Sequence, residues 1–273
     1  MNLLEQTQYL IKKTGLKPDK LKGQNFCIDQ KVLTDMIKAS GLTNKDNVLE
    51  VGPGFGFLTA ELVKKAAHVT AVELEPALFK IIKNMQAVHN NLQAIEGDIL
   101  KINDNRLPSE PYKIIANLPY GITSAFLKKF LTSSQKPQSI TLLIQKEVAE
   151  RICAPAGQLS LLGISVQLYA QPKIMGIVLP KSFWPMPAVN SAIINISSIR
   201  PFPYDDVAEE VFWRTVRAGF CAKRKTLQNN LANSFHISKE QALKLLNSAN
   251  LAPLIRAQEL SVKDWHTLSL LVD

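Results

Sequence analysis

The stretch "VLEVGPGFG" occupies residues 48–56, and its reading decides the fold. An apolar run ends at Val51 and delivers Gly52, Gly54 and Gly56, with a helical pattern after them. Glycines at the end of a buried strand let the backbone turn sharply and approach a ligand closely. The dinucleotide fingerprint places its third glycine three positions after the second. Here that position is Phe57. The G-x-G-x-G spacing argues against NAD or FAD and suits a nucleoside ligand without a pyrophosphate. A bare strand–helix turn has the same local needs, so the motif requires support from elsewhere in the chain.

That support comes from the order of the segments around it. Apolar, β-branched runs predict strands at 47–52, 68–73, 92–97, 113–117, 140–145, 173–179 and 191–197. Helical patterns lie near 28–40, 57–66, 75–87, 123–132, 145–153 and 158–170. Strand and helix in alternation predict a parallel sheet with helices on both faces, an α/β fold of Rossmann-like type. Its ligands bind at the carboxyl ends of the strands. "RPFPY" (200–204) looks like a linker, and every later pattern is helical: 206–219, 224–234, 238–247 and 261–271. The expected organisation is a catalytic domain over 1–202 and a small all-α domain over 203–273.

The second strand ends at Glu73, a place where a carboxylate can accept hydrogen bonds from both hydroxyls of a ribose. The third ends in "EGD", where Asp98, followed by Ile99, can accept from the exocyclic amine of an adenine ring. Taken singly, Glu73 is a solvated strand end and Asp98 an N-cap. Three signals on three successive strand ends point into one crevice. Together they predict a site for S-adenosylmethionine.

The fourth strand leads into "IIANLPYGITS" (114–124). Asn is a poor strand residue and Pro cannot donate to a ladder, so the chain leaves the sheet here. The side-chain oxygen of Asn117 can accept a hydrogen bond. Leu118, extended because it precedes Pro119, can aim its carbonyl the same way. Two converging acceptors suit a planar amino group, and Tyr120 offers a ring on which a base can stack. In "KSFWPMPAVNSAII" (181–194), Phe183 is a second candidate for holding a flipped base. Core packing beneath a loop is the plainer role for Phe183 and Trp184.

The bulk composition is consistent with such a site. The chain has 273 residues, 46% of them hydrophobic, and a net charge of +9. Residues 1–202 carry +8 of that excess, with Lys12, Lys13, Lys17, Lys20 and Lys22 crowded before "GQNF". A basic surface favours a polyanion through counterion release. Cys27, Cys153 and Cys221 have no zinc or redox spacing. They indicate a reducing cytoplasm and no metal. No apolar stretch is long enough to span a bilayer, and no signal-peptide pattern is visible. No interface pattern calls for more than a monomer.

In order along the chain stand "GQNFCID", "VLEVGPGFGFLT", "VELEP", "EGD", "NLPY", "QKEVAERI", "FWPMPAVNSA" and "FCAKRKTLQNNL". This series resembles the ribosomal RNA adenine N6-dimethyltransferases, over about residues 20–235. The resemblance implies two methyl transfers from S-adenosylmethionine to N6 of each of two adjacent adenosines. The implied substrate is the 3′-terminal hairpin of 16S rRNA in an assembling small subunit. It further implies cofactor contacts at Gln24, Asn25, Cys27, Gly52, Gly54, Glu73, Asp98, Ile99 and Asn117. Tyr120 and Phe183 would hold the target base, and Lys223, Arg224 and Lys225, at a helix start, would bind phosphates. The sequence departs from the family at Cys27, Met186, Asn190 and Lys223. The last keeps charge but not the bidentate geometry of arginine.

Overall fold

The computed structural model describes residues 1–16, 24–109 and 111–272. The chain divides into two compact units. One comprises Met1–Ala149 and Ala170–Ile199, the other Glu150–Tyr169 and Arg200–Asp273. Residues 150–169, placed by the sequence with the sheet, group with the helical unit, and the later division falls at Ile199/Arg200.

In chain order the first elements are α1 (Leu3–Thr14), β1 (Phe26–Cys27), α2 (Gln30–Ser40), β2 (Asn47–Val51) and α3 (Phe57–Leu62). There follow β3 (His68–Glu73), α4 (Pro76–Gln86), β4 (Leu92–Glu96), β5 (Tyr112–Asn117), α5 (Thr123–Thr132) and β6 (Ser139–Gln145). After α6 (Lys146–Ile152) and α7 (Leu161–Gln167) come β7 (Gln171–Val178), β8 (Phe183–Trp184) and β9 (Ser191–Ser197). Seven strands form one sheet in the order β4-β3-β2-β5-β6-β9-β7. The alternation predicts a parallel sheet. Five strands obey it, while β9 pairs antiparallel with both β6 and β7. No α-helix lies between β7 and β9 to make the crossover that parallel neighbours need.

Consecutive residues of the central strands are buried, Val48–Val51 in β2 and Ile140–Ile144 in β6. A strand buried on both faces must be covered on both. From α2, Val32, Leu33, Met36 and Ile37 pack with Val48, Ile115, Leu143 and Ile193 of the sheet. Edge strand β7 instead alternates, leaving Met175 and Ile177 exposed. From β2 the chain winds outward through β3 and β4, then returns to the other side of β2 as β5. This reversal makes the β2/β5 boundary the switch point, where a doubly wound sheet opens a crevice.

In the second unit, α8 (Glu209–Gly219), α9 (Leu227–Phe235), α10 (Lys239–Ser248) and α11 (Val262–Ser269) bury Phe212, Val216, Leu231, Leu246, Trp265 and Leu268. Gly219 is obligatory there, because an added Cβ would sit 2.2 Å from the Trp265 ring. No helix among the described residues is long and apolar enough to cross a membrane.

Candidate active site

Gly52, Gly54, Glu73, Asp98, Ile99, Asn117, Leu118 and Tyr120 line one cavity of about 450 Å³. That volume lies within the ~300–1,000 Å³ common for small-molecule sites. The sequence separations collapse because β2, β3, β4 and β5 end side by side on the same edge of the sheet.

The glycine turn is built as its spacing demands. Gly52, Gly54 and Gly56 have φ of 63°, 60° and 79°, a region in which a side chain is strained. The Gly54 amide donates to Glu73 Oε2 at 3.0 Å, and the Glu75 amide donates to Oε1 at 2.9 Å. Backbone amides thereby aim both oxygens of Glu73, which keep further lone-pair capacity toward the cavity. Burial raises the Glu73 pKa against the opposing pull of those amides. Below the turn, Glu50 is buried and accepts from the Thr59 hydroxyl at 2.6 Å. Burial pushes its pKa up to about 8.

Asp98 serves locally as well as facing the cavity. Its Oδ1 accepts from the Leu100 amide at 3.0 Å, the capping role open to it in the sequence. Beside it the Ile99 side chain is buried. The Ile99 and Ile102 carbonyls both accept from Lys129 Nζ, at 2.9 and 2.6 Å. The loop after β4 is therefore tied to α5, the helix that follows "NLPY".

Gln24, Asn25, Phe26 and Cys27 form another wall. Phe26 lies over the glycine turn, its ring 4.3 Å from that of Phe55 between centroids. A Cβ on Gly54 would come within 3.2 Å of it. Cys27 is buried, and desolvation pushes its thiol up to about 12, so it stays a neutral thiol at pH 7. The same segment fixes Asn117, whose Nδ2 donates to the Asn25 carbonyl at 3.1 Å. A carbonyl only accepts, so the amino edge of the Asn117 amide faces Asn25 and Oδ1 is left as the acceptor edge. Pro119 lies near the glycine turn: a Cβ on Gly52 would lie 3.7 Å from its Cδ.

Tyr120 is half-buried in a short 3-10 turn, Tyr120–Ile122, and its hydroxyl is 2.9 Å from Ser191 Oγ. Phe183 is not brought into the cavity lining. It is 2% exposed and packs with Leu33, Met36, Leu143 and Ile193. It reaches the site only through register, as the partner of Cys27 in the two-residue β1/β8 ladder. Lys223, Arg224 and Lys225 are exposed but do not begin a helix. They form a turn ahead of α9, because Thr226 is the N-cap: its hydroxyl accepts from the Asn229 amide at 3.5 Å. Of the lysines before "GQNF", Lys12 and Lys13 end α1, while Lys17, Lys20 and Lys22 lie outside the described residues.

Several lining residues carried no sequence signal of their own, among them Phe55 and Leu78. Leu74 had a partial one: it is an apolar residue wedged between Glu73 and Glu75, and it is 65% exposed. A large apolar side chain left open beside a carboxylate suits the face of a purine ring. Among the described residues no group of three or more His, Cys, Asp or Glu is placed to hold a metal ion.

Fold and site together define a methyltransferase built on a Rossmann-like sheet. The ribosomal RNA adenine dimethylase family profile matches residues 17–273. A ribosomal RNA small subunit methyltransferase A from Dehalococcoides mccartyi (strain CBDB1) is 41% identical over 271 residues, 98% of this chain and 93% of its own. One of the same name from Clostridium botulinum (strain Okra / Type B1) is 37% identical, over 96% of this chain and 97% of its own. A dimethyladenosine transferase structure from Plasmodium falciparum aligns with TM-score 0.74 at 25% identity, over 89% of this chain and 95% of that one. The 23S rRNA methyltransferase ErmE aligns with TM-score 0.72 at 26% identity, over 90% and 98%. The chain belongs to the ribosomal RNA adenine dimethylase family.

Proposed function

We propose that the protein transfers methyl groups from S-adenosylmethionine to N6 of two adjacent adenosines in the 3′-terminal hairpin of 16S rRNA. Each becomes N6,N6-dimethyladenosine while the small subunit assembles. The single observation that carries this reading is the Asn117 amide, turned by Asn25 so that its oxygen is the acceptor in a cavity lined by the glycine turn. Glu73 has the chemistry to bind the ribose hydroxyls, and Asp98 and Ile99 that to bind the adenine edge of the cofactor. Gln24, Asn25 and Cys27 would cover it. When bound, S-adenosylmethionine supplies an electrophilic methyl on a sulfonium.

The residues of this chain then act on the other reactant. An adenine amine is a weak nucleophile because its lone pair is conjugated into the ring. Asn117 Oδ1 and the Leu118 carbonyl accept its two hydrogens and favour the positive charge that grows on nitrogen. Tyr120 supplies the stacking face, which fixes the amine's direction. Such positioning is worth ~7–11 kcal/mol. No strong base is required, since the proton becomes acidic once nitrogen bonds carbon and can pass to water. In the helical unit, the exposed Lys223, Arg224 and Lys225 have the charge to hold RNA phosphates.

The likeness to ErmE favours a second reading, methylation of large-subunit rRNA. Against it stands the higher identity to relatives named for the small subunit. Offering labelled cofactor with both RNAs tests the choice. Label is expected in the small-subunit RNA, and label confined to the large-subunit RNA overturns the assignment.

A further inference from the structure

We propose that Ser191 is a positioning residue for methyl transfer, acting through Tyr120. The inference rests on the reading above, in which the Tyr120 ring stacks the target adenine.

Ser191 is the first residue of β9 and is fully buried. It is locked in two ladders, opposite Gln145 of β6 and Val178 of β7. Its side chain makes one hydrogen bond among the described residues, to the Tyr120 hydroxyl at 2.9 Å across 71 positions of sequence. The ring it holds stands outside the sheet. Tyr120 begins a three-residue 3-10 turn beside the exposed Gly121, and the Tyr120 carbonyl accepts from the Thr123 hydroxyl at 3.4 Å, so the backbone is held there while the ring is held by Ser191. Tyrosine has two rotatable side-chain bonds: fixing its hydroxyl at the far end fixes the axis of the ring, and because hydrogen bonds to a conjugated phenol oxygen lie near the ring plane, the direction of the bond biases the rotation of the face about that axis. Burial raises the Tyr120 pKa, so the phenol keeps its proton for this bond at neutral pH.

A stacking platform acts only in the orientation of its face. Base–aromatic stacking is worth about 1–3 kcal/mol per base, and a tilted ring forfeits part of it while also tilting the amine. A hydroxyl anchored in the sheet converts a mobile ring into an oriented one, as a supporting residue behind a reactive one must. The neighbouring strand β9 is thereby part of the site, although Ser191 does not line the cavity.

Single-turnover methyl transfer at saturating cofactor and RNA tests this in Ser191→Ala, Tyr120→Phe and the double variant. Tyr120→Phe removes the same bond while keeping the ring. Each single change is expected to slow transfer about tenfold, within what a misoriented stacking face forfeits. Cofactor affinity should be unchanged. The double variant should be no slower than either single one, and Ser191→Thr, which keeps a hydroxyl, should recover part of the rate. Multiplying losses in the double variant, or wild-type transfer by either single variant, overturns the proposal. Should Ser191→Ala fail to fold, Tyr120→Phe alone carries the test, with wild-type rate as the refuting result. Tyr120→Ala separates this inference from the reading beneath it. If that variant transfers methyl at the wild-type rate, the ring does not hold the base, and the role of Ser191 falls with it.

Discussion

Asn117 shows how one residue type at one place sets chemistry. Its amide bridges the N-terminal segment, through Asn25, and the cavity beside Gly52. Asn117→Ala removes an acceptor that matters most as charge develops on nitrogen. The chemical step at saturating cofactor should fall on the order of 10²-fold, while RNA affinity changes little. Equal losses in binding and rate would contradict that role. Glu50 is the second residue with a definite prediction. Buried beneath the glycine turn, its carboxyl holds a proton to about pH 8, against a reference value of 4.5. Because the folded pKa is the higher one, its contribution to stability is fully present below about pH 4.5 and is lost as pH rises through about 8. Urea unfolding of the wild type and Glu50→Gln across this range checks the sign. The stability difference between them should shift against the wild type as pH rises. A constant difference would mean that Glu50 is not held protonated.

At the scale of elements, what was legible depended on whether the signal was local. All seven strands of the main sheet and the helices between them follow from runs and periods within single segments. The antiparallel edge was less legible, although the lack of a helical pattern between 179 and 191 held the clue. Helix α1 was missed despite a local signature: Asn2 accepts from the Glu5 amide at 2.9 Å and Glu5 accepts from the Asn2 amide at 3.0 Å. The β1/β8 ladder pairs Phe26 with Trp184 and Cys27 with Phe183, far apart in sequence, and is two residues long, so no period announces it. In that ladder Phe183 packs into the core, while Tyr120 of "NLPY" lines the cavity. At the basic turn, the helix boundary lies at Thr226 rather than among the lysines, since its hydroxyl accepts from the Asn229 amide in the first turn of α9. Thr226→Ala should cost about 1 kcal/mol of stability, the usual effect of losing a cap. Thermal unfolding without loss of stability would show that the cap contributes nothing.

For the whole molecule, the sequence charge and the sheet topology answer different questions. Topology places four strand ends around one cavity; charge bears on the polyanion that supplies the target base. Residues 1–202 carry a net +8, so RNA binding should weaken steeply with salt, as counterion release requires. A binding constant flat across salt would refute an electrostatic interface. The small helical unit adds the exposed Lys223–Lys225 turn, and replacing those three residues by glutamine should reduce the salt slope as well as the affinity. The central claim is that the cavity brings a methyl donor and an adenine amine together twice on each of two adjacent adenosines. Mass mapping of the 3′ end of small-subunit rRNA, after incubation of assembling particles with the protein and isotope-labelled cofactor, measures this directly. Two neighbouring adenosines in the terminal hairpin should each gain two labelled methyl groups. Label absent from that hairpin, or carried on any atom other than N6, would contradict it.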